Sequence, residues 1–320
     1  MSALAVTFVP FEHADFWIGA AVIAGIYGIF TIGLQLNIGF TGILNFGQAG
    51  FMAVGAYTMA ILVVDHGWSF WAAVPVATLA AVLAGLLIGL PSLRLRADYF
   101  AIATIAFAEI VRYTAQNANF TQANQGILGF DQSWRNANDW ALRQLGHVGL
   151  QDQVQLPMLI VVWIAFAALV LAISWLQRTP WGRVLRAIRE DEDAARALGK
   201  NVFVYKLQSL MIAAALGGVA GYFLALNVTI VYPNEFEPTF TFFGYAILVL
   251  GGFASYFGVI AGALLLWTIL EGTRLVQLPV SADQVAAIRF MVVGFILVVL
   301  MALRPQGLFG KREEMLLRRD

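Results

Sequence analysis

Side chains able to do chemistry are few in this sequence, and they gather in three places. The first is AIATIAFAEIVRY, where Glu109 and Arg112 stand three residues apart inside an apolar run and therefore share one helix face. A carboxylate at membrane depth is a candidate functional group. With a guanidinium beside it to neutralise it, the pair reads as structural or pathway-lining rather than as a proton relay. The second place is GFTGILNFGQAGFMAVGAYTMA, residues 39–60. It is greasy yet holds Gly39, Gly42, Gly47, Gly50 and Gly55 with Asn45 and Gln48. Amides cannot act as acids or nucleophiles at neutral pH, but they can hydrogen-bond a broken backbone or a zwitterion. The third is TPWGRVLRAIREDEDAARALGKNVFVYK, residues 179–206, which carries seven of the basic residues counted with Arg178.

What is missing excludes whole classes of chemistry. There is no G-x-x-x-x-G-K-[ST] phosphate loop; GLFGKR at 307–312 lacks both the spacing and the Ser/Thr. No H-E-x-x-H and no G-x-S-x-G nucleophile elbow occurs. With zero cysteines, disulfides and thiolate metal sites are excluded. His13, His66 and His147 are scattered over expected outer segments and read as surface residues. Hence no catalytic residue, no metal site and no cofactor of its own is expected, and nothing suggests nucleic-acid binding.

The elements that must position these groups are membrane helices. The chain has 320 residues, 60% hydrophobic and 12% charged, with a mean hydropathy of +0.78; soluble domains run near a quarter charged. Crossing the hydrocarbon core takes ~20 apolar residues, which predicts spans at 16–36, 43–64, 68–90, 98–116, 157–176, 207–230 and 286–303. MSALAVTFVPFEHAD has no Lys or Arg before its first apolar run, so no cleavable signal peptide is expected. Of the 19 basic residues, two lie in 91–97, seven in 177–206 and five from Arg304 onward. Lys and Arg concentrate in cytoplasmic loops, so these regions are assigned inside and the N-terminus, with Glu12 and Asp15, outside. Between two inside regions the number of crossings must be even. The segment 240–272 is thus expected to be a broken pair or a re-entrant element, interrupted at Gly251-Gly252 and Gly258. The fold class is all-α: one transmembrane domain over 1–320 with eight to nine transmembrane helices, N-out and C-in.

Paired glycine-interrupted segments mark transport sites, because unwound backbone offers polar groups at membrane depth. Such backbone needs protein or a water-filled cavity to cover it. Close helix packing is the competing reading. It is preferred for Gly85/Gly89 and stands level with a pathway at 39–55. The candidate translocation path comprises Asn37, Asn45, Gln48, Glu109, Gly251 and Gly252. In 179–206, Thr179-Pro180 is a helix start and Gly199 a stop. One amphipathic helix is expected over about 180–198, with Trp181, Val184, Leu185, Ile188, Ala195 and Leu198 on one face and Arg183, Arg186 and Arg189 on another. It could rest on anionic lipid or dock a partner with its apolar stripe as anchor. The acidic run Glu190–Asp193 favours the partner.

Five blocks in order carry a family resemblance: LNIGFTGILNFGQAGFMAVGAY (36–57), DYFAIATIAFAEIVR (98–112), GRVLRAIREDEDAARALGKNVFVYKL (182–207), LGGFASYFGVIAGA (250–263) and RPQGLFG (304–310). The chain resembles the membrane permeases of branched-chain amino acid ABC importers, the LivH/LivM family, and is nearer the M-type. The resemblance implies a second, LivH-like permease subunit, two cytoplasmic ATPase subunits that hold the ATP and Mg, and an extracytoplasmic solute-binding protein facing 117–156. It also implies the bacterial inner (cytoplasmic) membrane, surrounded by lipid. Asp193-Ala194-Ala195 and Gly199 look like a degenerate E-A-A…G signature, with aspartate in place of glutamate. Coupling to the ATPase would then rest on Arg183, Arg186, Arg189, Glu190, Asp193, Ala194, Ala195 and Gly199. The implied function is ATP-driven, alternating-access import of branched-chain or other hydrophobic amino acids. A urea or short-amide permease of the same family is one alternative. An ion-coupled secondary transporter is another, and a passive channel a third.

Overall fold

The computed structural model describes residues 14–146, 153–253, 255–275, 282–304 and 307–309. His13, His147, Glu12 and the basic residues beyond 310 lie outside these. The described chain is a bundle of α-helices. α1 (Ala14–Leu34) passes into a π-helical stretch, Gln35–Thr41, and leaves it at Gly42 with φ +77°. α2 (Gln48–Val64), α3 (Phe70–Ser92) and α4 (Ala97–Asn117) follow. The span expected at 43–64 therefore starts late. Asn45 Oδ1 accepts the Gly47 N–H at 2.9 Å, an Asx turn that competes with helix, and only from Gln48 is the chain helical.

The segment 117–156 is built rather than plain. The two-residue strand β1 (Ile127–Leu128) pairs antiparallel with β2 (Ile230–Val231), and α5 (Gln132–Leu145) starts at a buried Asp131 whose carboxylate meets Arg135 at 3.1 Å. α6 (Leu156–Arg178) leads into α7 (Pro180–Glu190) and α8 (Glu192–Ala197). α9 (Val202–Val228), α10 (Thr239–Gly251), α11 (Tyr256–Leu275) and α12 (Ala282–Leu303) complete the order.

Among the described residues, four stretches are long and apolar enough to cross a membrane: Ala14–Thr41, Phe70–Ser92, Leu156–Arg178 and Val202–Val228. The pair Thr239–Gly251 and Tyr256–Gly272, bent by 117°, makes a fifth if taken as one span. At 13 residues, α10 is only about 20 Å long, short of the ~30 Å hydrocarbon core. Rows of apolar side chains face outward, such as Leu79, Leu83 and Leu87 on α3 and Ile164, Leu171 and Trp175 on α6. In a bilayer they meet lipid.

α9 is the hub, packed against α1, α2 and α3. Small residues allow it. A Cβ on Gly55 would stand 2.4 Å from the Gly218 carbonyl oxygen, and one on Gly221 would stand 2.0 Å from that of Met52. Backbone thus rests on backbone, where van der Waals contact rather than the hydrophobic effect drives helix association. Gly85 and Gly89 likewise face Ala214 and Leu207 of α9.

Candidate functional site

The first break, residues 35–47, is closed by polar side chains from five surrounding elements. Asn37, Thr41, Asn45 and Gln48 are buried completely or nearly so. Gln48 Nε2 donates to the Ala213 carbonyl at 2.9 Å and, more weakly, to that of Phe30 at 3.4 Å. Its Oε1 accepts from Asn45 Nδ2 at 3.1 Å. Ala213 lies near the middle of α9, so this amide pair sits deep in the bundle. Around it, Thr104 of α4 accepts the Phe46 N–H at 3.0 Å and Thr241 of α10 accepts the Ala49 N–H at 3.1 Å. Tyr245 donates to the Asn45 carbonyl at 2.8 Å. On the other side the hydroxyls of Thr41 and Ser209 share a 2.7 Å hydrogen bond, and Ser209 reaches Asn37 Oδ1 at 3.2 Å. Asn37 Nδ2 is buried with no hydrogen-bond partner among the described residues. An unsatisfied buried polar group costs about 1–3 kcal/mol, which explains why side chains converge on the Phe46, Gly47 and Ala49 N–H groups and the Asn45 carbonyl.

The second break, 252–255, is closed by backbone. Gly252 takes φ +107°, and a Cβ on Gly251 would lie 1.9 Å from the Gly258 carbonyl oxygen, so α10 and α11 touch main chain to main chain. The carbonyls of Leu250 and Gly251, at the end of α10, accept the N–H groups of Leu308 and Phe309 at 3.0 and 2.9 Å. Leu308 and Phe309 therefore cap α10. The two breaks meet where Phe40 stacks on Tyr256, centroids 6.3 Å apart.

α7 and α8 form the third feature, and here two expectations are corrected. The helix expected over 180–198 is two helices with a corner at Asp191 (φ −152°, ψ 111°). Asp191 Oδ1 accepts from the N–H groups of Asp193 and Ala194 at 2.8 and 3.0 Å. The acidic run supplies a new N-cap and so ends α7 at Glu190. Thr179 starts α7 without capping it; its hydroxyl donates back to the Leu176 carbonyl. The apolar stripe is also not free for a partner. Leu185, Ile188 and Ala195 are buried against the chain's own core, Ile188 and Ala195 packing with Val202. The outward face holds Arg183, Arg186, Arg189, Glu190, Asp193, Ala194 and Leu198, and Gly199 (φ +75°) ends α8 as expected.

α7 packs against the π-helical stretch of the first break, and a hydrogen bond joins the two. Arg189 Nη1 donates to the carbonyl of Gly39, near the end of the π-helical stretch, and a Cβ added at Gly42 would lie 3.5 Å from the Arg189 Cα. The bond spans 150 residues of sequence.

Of the expected path residues, Asn37, Asn45 and Gln48 come together in the first break and Gly251 and Gly252 form the second. Glu109 stands apart on α4, held by Arg112 at 2.8 Å and partly exposed. Sequence reasoning missed Thr41, Thr104, Ser209, Thr241 and Tyr245. Their one signal is that each is a hydroxyl in an otherwise apolar helix, where such a group needs an acceptor.

Buried polar breaks within an apolar bundle, joined to a charged pair of helices at one end, suit a membrane transport subunit. Residues 17–301 match the family described as branched-chain amino acid transport system / permease component, and the chain belongs to that family. It is 36% identical over 312 residues to the high-affinity branched-chain amino acid transport system permease protein LivM of Escherichia coli, covering 93% of this chain and 71% of that protein. The LivM of Salmonella typhimurium is 35% identical over 311 residues, with 93% and 71% covered. A probable branched-chain amino acid transport permease protein LivM of Methanocaldococcus jannaschii is 27% identical, with 90% and 91% covered. No solved structure matches the chain.

Proposed function

We propose that this chain imports branched-chain or other apolar amino acids across the bacterial inner membrane, by alternating access driven by ATPase subunits that dock on α7 and α8. Family membership and the substrates named for the LivM relatives support the cargo. A second, LivH-like permease, two ATPases carrying ATP and Mg, and an extracytoplasmic solute-binding protein complete the importer. The N-terminus lies outside and the C-terminus inside. α10 enters from the outer side to the break at 252–255 and α11 returns, a re-entrant pair among the crossing helices.

The observation that carries the mechanism is the Arg189–Gly39 hydrogen bond. When nucleotide closes the ATPases, they displace α7; the arginine draws the π-helical stretch with it, and the polar cluster around Asn45 and Gln48 rearranges. Asn37 Nδ2, unpartnered as the break stands, is then free to meet the solute. A zwitterion with an apolar side chain suits a path that offers amides and carbonyls and few fixed charges. Reconstitution tests this. With its partner permease, ATPases and binding protein in liposomes, the chain should take up labelled leucine only with ATP inside. ATP-independent uptake by this chain alone would contradict it and favour a gradient-driven carrier or channel. Uptake of urea but not leucine by the assembled importer would transfer the cargo to the amide class.

A further inference from the structure

We infer that a cavity on the α7–α8 face is a binding site for a phosphate-bearing anion, supplied by the headgroup of an anionic membrane lipid. The cavity, about 530 Å³, lies between the turn after α3 and the helices α8 and α9. Five basic side chains line it: Arg94, Arg96, Arg196, Lys200 and Lys206. Its one lining carboxylate, Glu192, is already engaged by Arg196 and Lys206. Arg94, with its guanidinium over the Phe203 ring at 5.6 Å, Arg96 and Lys200 have no carboxylate partner among the described residues. α4 and α9 also begin at the cavity, at Ala97 and Val202, adding the positive ends of two helix dipoles. Guanidinium groups match phosphate oxygens in pairs, and uncompensated positive charge in a half-enclosed space calls for an anion.

The walls decide the source. Leu44, Leu93, Leu95 and Phe100 share the lining with the cations, and the exposed leucines 83, 87 and 90 continue up α3 from Leu93. A free phosphate has no use for these; a phospholipid puts its phosphodiester among the arginines and its acyl chain along α3. Basic pockets between membrane helices commonly hold anionic headgroups in this way.

The test is native mass spectrometry of the full-length chain in detergent, with phosphatidylglycerol, phosphatidylcholine and inorganic phosphate as probes. Phosphatidylglycerol should be retained and phosphatidylcholine not. Arg94→Gln with Arg96→Gln should weaken phosphatidylglycerol retention about thirtyfold; Arg94→Lys with Arg96→Lys should restore most of it at an unchanged melting temperature. Arg178→Gln, an exposed base at the end of α6 and outside the cavity, should change nothing. Equal retention of the two lipids, or full retention by the double Gln variant, overturns the site. Displacement of phosphatidylglycerol by millimolar inorganic phosphate overturns the lipid as its source. If the double Gln variant keeps its lipid but loses the co-purifying ATPase, the cavity belongs to a protein interface instead.

Discussion

The two breaks solve the same problem with opposite materials. Both leave backbone groups without helical partners in an apolar bundle, the first fully buried and the second beside the exposed Phe253, where orphaned polar groups are costly. At 35–47 the partners are side chains: amides of Asn45 and Gln48 and hydroxyls from α4, α9, α10 and the π-helical stretch itself. At 252–255 they are main-chain N–H groups of Leu308 and Phe309, and the neighbouring helix is in glycine-to-glycine contact. Side-chain hydrogen bonds can be exchanged by rotating a few torsions. A backbone cap wedged between touching glycines cannot. The first break is thus built to change and the second to hold, and only the first is tied to α7.

Substitutions should separate them. The largest effect is expected at Gly251→Ala, whose new Cβ meets the Gly258 carbonyl; the loss should exceed about 3 kcal/mol, seen as a failure to extract folded protein or a steep fall in detergent melting temperature. At the first break Gly42→Ala should cost only about 1–2 kcal/mol, the strain of its left-handed φ, because its neighbours at Arg189 stand at ordinary contact distance. Equal damage at the two glycines would erase the contrast. Next is Gln48→Leu, which leaves the Asn45 Nδ2 without its acceptor and removes a second hydrogen bond to the Ala213 carbonyl, itself still bonded within α9. It should cost about 1–3 kcal/mol for the one stranded amide, while Gln48→Glu should lose mainly the donor to Ala213.

Arg189→Ala should leave the melting temperature nearly unchanged yet reduce ATP-driven uptake about tenfold, the scale of one hydrogen bond to a charged group. ATP hydrolysis should persist, uncoupled from transport; unchanged uptake would remove the arginine from the relay. The smallest effect is expected at Glu109→Gln. The pair is only partly exposed, and the loss should be about 1 kcal/mol, with the pH profile of uptake the same as in the unsubstituted chain. A lost pH dependence would restore a proton-coupling role.

What the sequence revealed follows from what each feature depends on. The breaks were legible because glycines and amides in an apolar run have no local use, and helix existence followed from hydropathy. The corner at Asp191 was not, because Glu190–Asp193 reads equally as a helical face or as a cap, and only the direction of the chain after it decides. The fate of the apolar stripe of α7 depends on α9, far along the chain; amphipathicity tells that a stripe is buried, not against what. The hydroxyls of Thr104, Ser209 and Thr241 and the capping role of 307–309 arise from contacts across the bundle, which no local pattern encodes.

The central claim is that ATP moves the first break and spares the second, through Arg189. Hydrogen–deuterium exchange on the assembled importer tests it most directly. Trapping the ATPases with Mg-ATP and vanadate should raise exchange of the amides at 42–49 and leave those at 248–251 and 308–309 unchanged, and Arg189→Ala should abolish the rise. Exchange that rises at the second break instead, or that rises at 42–49 just as much without Arg189, would contradict it.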